Sequence, residues 1–413
     1  MPSFLSGVRG GIEGKASDDS RIAFLKHALE DRASEGAILA AVRESEAHHG
    51  ITYVINNTCN LACKHCYLQV DKLTSDHLTV DESKRLLSAA LDRKPDLICL
   101  SGKEVFLGNR GSEVLTWLTS ARDSNSPATR IGVITNGTLL HLHREAVLTS
   151  RLDYIDISVD GVREDHDYNR GEGAYGRMLP NLKWAVRHLP DRVFVNMTLQ
   201  QRNFRRYTQA IAELHEVGVR TIGCSFYHQL PYTDTSLELG PEDYDSILTS
   251  LHSVGQISLR RPLTVLVEVD LLSLPAMLAF FRSDWFDPSG FCVDDHGEFY
   301  CEHILANGAR VQVRFSPFPL LIHKSVRITP EGNYLAAEDT VNTRFYAEHS
   351  LGNIREFGFD LSRLHAHAAA APRLKEITEA YFRDALPQLQ LAYREALNTS
   401  DSDEKSIPIP SMA

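Results

Sequence analysis

The 413-residue chain has few cysteines, no basic excess and no long apolar run. Nowhere do about 18 apolar residues follow one another, so no membrane-spanning helix is expected. The first residues, MPSFLSGVRGGIEGKASDDSRIAF, lack the apolar stretch of a secretory signal. A formal net charge of −11 excludes broad nucleic-acid binding, which needs surplus Lys and Arg to meet phosphates. Seven cysteines are an odd and sparse set for this length. That excludes a disulfide scaffold and points to a reducing, cytoplasmic setting. No internal repeat of fixed period occurs. What the chain does have is 43% hydrophobic residues, enough for one large core with additions.

Short apolar runs alternate with helical patterns from about residue 50 to 235. ITYVIN (51–56), DLICLS (96–101), RIGVITN (130–136), DYIDISVD (153–160), RVFVNMTL (192–199) and VRTIGCSF (219–226) read as strands. Many are apolar at nearly every position, as strands covered on both faces are. Between them VDESKRLLSAAL (80–91), GRMLPNLKWAVRHL (176–189) and NFRRYTQAIAELHEV (203–217) read as helices, with Asp81 the expected N-cap and Gly218 the stop. The expected fold class is α/β, a partial (β/α)6 TIM-type barrel with a smaller C-terminal α+β domain. The expected division is an N-terminal helical segment at 1–45, the barrel at 46–235, a smaller domain at 236–358, C-terminal helices at 359–397 and a disordered tail at 398–413. In the smaller domain, HGE (296–298) and PEGN (330–333) read as turns.

The stretch NTCNLACKHCYL (57–68) places Cys59, Cys63 and Cys66 within eight positions, directly after the first strand. That is the carboxyl end of the sheet, where α/β barrels carry their sites. Three thiolates hold three irons of a cubane [4Fe–4S] cluster, and with no fourth local cysteine the last iron stays open. The competing assignment is zinc, with Cys63 and Cys66 as half of the ligands and Cys59 or His65 as others. Residues 67–95 supply only His77 toward a second ligand pair.

The C-x3-C-x2-C spacing followed by Tyr67 resembles the radical SAM superfamily. The resemblance implies that S-adenosylmethionine (SAM) chelates the open iron and is cleaved reductively, and that the resulting 5′-deoxyadenosyl radical abstracts hydrogen from an unactivated carbon. An external electron donor such as flavodoxin or ferredoxin is implied with it. The family's Gly-Gly-Glu-Pro stretch aligns with Gly102, Lys103, Glu104 and Val105, which assigns Glu104 to the SAM ammonium and leaves Lys103 and Val105 as departures. If the family's second glycine has positive φ, Lys103 would be strained. Asn136 in Thr-Asn-Gly and Ser158 in Ser-Val-Asp-Gly are the ribose candidates. Arg170, with Arg177 as alternative, is the candidate for the methionyl carboxylate.

The pattern Ser-x-Asp-Gly…His-Asp-x-x-Arg is similar to the subgroup with SPASM or twitch domains. Here that domain looks degenerate: Ala336 and Ala337 stand where a cysteine ligand is expected, and Cys292 and Cys301 flank a turn near His296 and His303. With no evident auxiliary cluster, a redox-neutral outcome is expected, either epimerisation or radical elimination. For epimerisation Cys224, near the end of the sixth strand, is the candidate catalytic hydrogen donor. Cys99 is expected to be packed in the core. The short N-terminal segment tilts the substrate toward a small natural-product intermediate, with Tyr227, His228, Asp160 and Glu268 as possible contacts. Alternatives are a ribosomal-peptide maturase, a dehydrogenase with an unrecognised auxiliary cluster, and a non-catalytic iron–sulfur descendant. Neither nucleic acid nor membrane is an expected partner.

Overall fold

The computed structural model describes residues 19–45, 50–66, 76–227, 234–294, 298–319, 325–335 and 350–403. Its strands are β1 (Gly50–Val54), β2 (Leu97–Ser101), β3 (Arg130–Thr135), β4 (Tyr154–Ser158), β5 (Val193–Leu199), β6 (Thr221–Phe226), β7 (Thr264–Asp270), β8 (Cys292–Val293), β9 (Phe299–Ile304), β10 (Arg310–Ser316), β11 (Ser325–Ile328), β12 (Asn333–Leu335) and β13 (Ser350–Asn353). Among the described residues they form one open sheet, in the order β13-β12-β11-β1-β2-β3-β4-β5-β6-β7-β10-β9-β8. All six strands expected from the sequence are present. Three more join the parallel run: β6 pairs with β7, β7 with β10, and β11 with β1. The antiparallel strands β12, β13, β9 and β8 sit only at the two edges. Residues 236–358 therefore contribute strands continuous with the barrel sheet, at both of its ends.

The helices are α1 (Ser20–Leu29), α2 (Glu35–Ser45), α3 (Val80–Asp92), α4 (Arg110–Asn125), α5 (Arg144–Thr149), α6 (Arg163–Arg170), α7 (Ala174–His188), α8 (Tyr207–Val217), α9 (Pro241–Leu251), α10 (Leu274–Arg282), α11 (Leu361–Ala369), α12 (Pro372–Ala380) and α13 (Leu386–Asp403). The last runs on past 397, into the stretch expected to be a tail. At α3 the N-cap is Thr79 rather than Asp81: its hydroxyl accepts from the Glu82 N–H at 3.1 Å, and Glu82 accepts from the Thr79 N–H at 2.8 Å. This reciprocal pair satisfies two donors that Asp81, already inside the first turn, cannot reach. Gly218 ends α8 with φ +116°, as expected.

Each strand of the parallel run divides its residues between two faces. One face packs on the helices in the main apolar core. The other meets across the barrel interior, where Leu97, Cys99, Tyr154, Phe194 and Leu266 form a separate buried cluster. Gly132 on β3 makes room for it, because a Cβ there would overlap the Tyr154 ring. Gly132→Ala is accordingly expected to cost about 1–3 kcal/mol through overpacking, read as a lower urea midpoint. An unchanged midpoint would mean that the interior yields freely.

Candidate functional site

The cysteine loop leaves β1 at the carboxyl mouth, where backbone bonds join it to the loop after β2. Lys103 N–H donates to the Asn56 carbonyl at 3.3 Å and Glu104 N–H to the Thr58 carbonyl at 3.1 Å. The Asn56 amide adds a bond to the Glu104 carbonyl at 2.8 Å. Lys103 is not among the described residues with positive φ, and neither is Gly102. The strain expected at Lys103 is therefore absent, because the loop takes a left-hand turn at neither position. Gly102 matters for space instead: a Cβ would fall 2.9 Å from Asn56 Oδ1.

Glu104 is fully buried. Its Oε1 accepts from Thr135 Oγ1 at 2.6 Å and from the Phe106 N–H at 3.0 Å, and its Oε2 from the Asn136 N–H at 2.8 Å. Burial pushes its pKa up against these three donors. The side chain assigned to the SAM ammonium thus binds the loop after β2 to the end of β3. Glu104→Gln must turn an NH2 group toward one of those donors, which is expected to cost about 1–3 kcal/mol. A lower thermal midpoint checks this; loss of SAM affinity with no loss of stability would point to direct ligand contact instead.

Asn136 also faces the cysteine loop. Its amide nitrogen donates to Asn60 Oδ1 at 3.0 Å and lies 3.7 Å from Cys59 Sγ, while Asn60 donates to Thr138 Oγ1 at 2.8 Å. Cys59 Sγ also accepts from the Leu61 N–H at 3.3 Å. Burial pushes the Cys59 thiol up, and the Cys63 thiol up to about 12. Thiols so poised lose their protons when a metal centre replaces them. Among the described residues no three His, Cys, Asp or Glu side chains converge as a single-ion site does. Three loop thiols, one already receiving N–H donors, fit a [4Fe–4S] cluster held by Cys59, Cys63 and Cys66. Tyr67 lies outside the described residues.

The next loop along the mouth follows β4. Ser158 ends that strand half-buried, in register with Asn196 on β5. Asp160, fully buried, accepts from Arg170 Nε at 2.5 Å and Nη2 at 3.2 Å. Burial raises its pKa, but the Arg170 guanidinium overrides this and holds the carboxyl well below the usual range. Two of the three nitrogens of Arg170, assigned to the methionyl carboxylate, are thus spent inside the protein. Arg177 is exposed, with Nη1 on the Glu172 carbonyl at 3.3 Å. His166, pushed by burial down to about 4, is neutral and accepts the Asp160 N–H on Nδ1 at 3.2 Å.

Cys224 requires a correction. Gly223 pairs with Asn196 and with Leu266, the latter part of the interior cluster, so Cys224 belongs to the opposite face. It is fully buried in the helix-facing core, and burial pushes its thiol up to about 12. Nearness to a strand end does not reveal which way a side chain points, and here the parity is wrong for a hydrogen donor. Cys224→Ala is expected to leave SAM cleavage unchanged while lowering stability by about 1 kcal/mol. Loss of solvent-derived hydrogen from the product of this variant, at full stability, would restore the catalytic assignment. Cys99 is the inward-facing thiol, packed in the barrel floor with Tyr154.

Glu268, on β7 beside the interior residue Arg314, is pushed by burial up to about 7. The Tyr227 hydroxyl donates to the Asp234 carbonyl at 3.0 Å. Cys301 is buried with its thiol 3.8 Å from the Asp287 carbonyl, and Cys292 stands opposite Tyr300. His303 contacts the Trp285 carbonyl at 3.1 Å. His228, His296, Ala336 and Ala337 lie outside the described residues.

An open parallel barrel sheet with a three-thiol loop at its carboxyl mouth defines a class of iron–sulfur enzyme fold. Residues 53–238, a little under half of the chain, match the radical SAM superfamily. That superfamily uses a [4Fe–4S] cluster and SAM, and its members are enzymes. Over 202 residues the chain is 28% identical to the AdoMet-dependent heme synthase of Methanosarcina barkeri, covering 48% of this chain and 56% of that protein. It is 23% identical over 182 residues to the subtilosin biosynthesis protein AlbA of Bacillus subtilis, covering 43% and 38%. The chain thus spans about half, or less, of these relatives' length. The crystal structure of Streptococcus suis SuiB bound to precursor peptide SuiA superposes with a TM-score of 0.55 at 12% identity, covering 82% of this chain and 69% of that one. This likeness is one of fold.

Proposed function

We propose that the chain is a radical SAM enzyme that takes hydrogen from a C–H bond of a small, polar natural-product intermediate and completes a redox-neutral reaction. The observation that carries this is the loop with Cys59, Cys63 and Cys66, set at the carboxyl mouth and joined to Glu104 and Asn136. When bound, the cluster and SAM supply a 5′-deoxyadenosyl radical. The chain's own part is to hold and orient. Cys59, Cys63 and Cys66 would ligate the cluster, and the backbone of Gly102 and Lys103 and the hydroxyl of Ser158 would serve to bind SAM. Reduction falls to an external donor such as flavodoxin or ferredoxin.

Polar groups in the barrel support a polar substrate. Among the described residues neither amide atom of buried Asn196 has a hydrogen-bond partner, and Oδ1 of buried Asp156 is likewise without one. Burial pushes the Asp156 pKa up to about 7, so this carboxyl is able to donate as well as accept near neutrality. With Cys224 turned to the helices, radical elimination is favoured over epimerisation. Peptide maturation is the second reading, favoured by the similarity to the subtilosin biosynthesis protein.

The single-cluster, redox-neutral reading is tested by iron analysis after anaerobic reconstitution. About four irons per chain are expected; a value near eight would reveal an auxiliary cluster and favour a dehydrogenase.

A further inference from the structure

Asn169, near the end of α6, is fully buried behind the cysteine loop. Its carbonyl accepts the Lys64 N–H at 2.8 Å and its Oδ1 accepts the His65 N–H at 3.3 Å. Both residues between Cys63 and Cys66 are therefore held by this one asparagine. Its amide nitrogen in turn donates to Asp160 Oδ2 at 2.6 Å. Asp160 also accepts from Arg170 through Nε and Nη2, and from the Thr198 N–H at 3.3 Å. The clamp is thus fixed to both α6 and β5. Arg170 is itself buried, and its Nε shares Asp160 Oδ2 with the amide of Asn169, the residue that holds His65, which sets the cation beside the Cys63–Cys66 turn.

We infer that Asn169 is a positioning residue that sets the Cys63–Cys66 turn, and that the Arg170 cation, fixed on Asp160, tunes the reduction potential of the cluster held there. The inference rests on the radical SAM reading above. A cation held in a buried place beside two thiolate ligands favours the more negative, reduced cluster. Removing its charge disfavours adding the electron. A lysine, although it cannot fork onto Asp160 in the same way, retains the charge.

The test is a dithionite titration of the reconstituted protein without SAM, followed by electron paramagnetic resonance of the reduced cluster. Arg170→Met is expected to lower the equilibrium constant for one-electron reduction about tenfold, a midpoint about 59 mV more negative. Arg170→Lys is expected to stay near wild type. Equal potentials in the Met variant and wild type, or equal shifts in both variants, would overturn the electrostatic role. Asn169→Ala is expected to bind less iron and to change the resonance line shape. If that variant does not fold, amide hydrogen exchange of the wild-type holoprotein decides: Lys64 and His65 should be protected, and free exchange there overturns the positioning role. Wild-type protein that takes up no iron and gives no signal would instead overturn the radical SAM reading itself.

Discussion

Changing Cys59, Cys63 and Cys66 together to alanine is expected to bring iron from about four per chain to near zero and to abolish the brown chromophore. The three residues share one loop, and burial raises the Cys59 and Cys63 thiol pKa values. Each replacement deletes a proposed ligand, and among the described residues no trio of metal-binding side chains is gathered to take over. The remaining cysteines lie apart from the loop: Cys99 in the barrel floor, Cys224 facing the helices, and Cys292 and Cys301 on the paired strands β8 and β9 at one end of the sheet. Iron and absorbance measured on the triple variant check this. About four irons in that variant would place the cluster elsewhere.

Asp160→Ala is expected to destabilise the fold by about 3–5 kcal/mol, because it leaves the buried Arg170 cation without its counter-charge. It also removes the acceptor of Asn169 Nδ2 and of the Thr198 N–H. Chemical denaturation provides the measurement. The pH dependence has a definite sign. Asp160 has a folded pKa below its unfolded value, so its contribution is complete above about pH 4 and is lost as the pH falls through the folded-state pKa. Asp160→Asn should therefore flatten the acid limb of the stability curve, and an unaltered limb would show that the pair contributes nothing there.

The six strands from β1 to β6 were legible because strands covered on both faces are written as nearly unbroken apolar runs. The edges were less so. A hairpin pattern such as β9–β10 declares its local partner but is silent about the other edge, where β10 pairs with β7. The cysteine loop was legible from its spacing together with its place after the first strand, since its chemistry lies in residue type. The roles around it depend on direction, which spacing does not encode. Cys224 and Gly223 differ by one position and face opposite layers. Glu104 and Asn136 were singled out for SAM, yet their polar atoms turn toward loops of the protein. Asn169 stood next to Arg170 in HDYNR without being singled out; its place at the end of a short helix just after a strand-end Asp-Gly turn is the signal that would have marked it.

Incubation of the anaerobically reconstituted wild-type protein with SAM and dithionite tests the central claim most directly. 5′-Deoxyadenosine and methionine should form, and neither should form with the triple cysteine variant. SAM that stays intact beside a protein carrying about four irons would contradict the claim and mark the chain as an iron–sulfur protein without SAM chemistry.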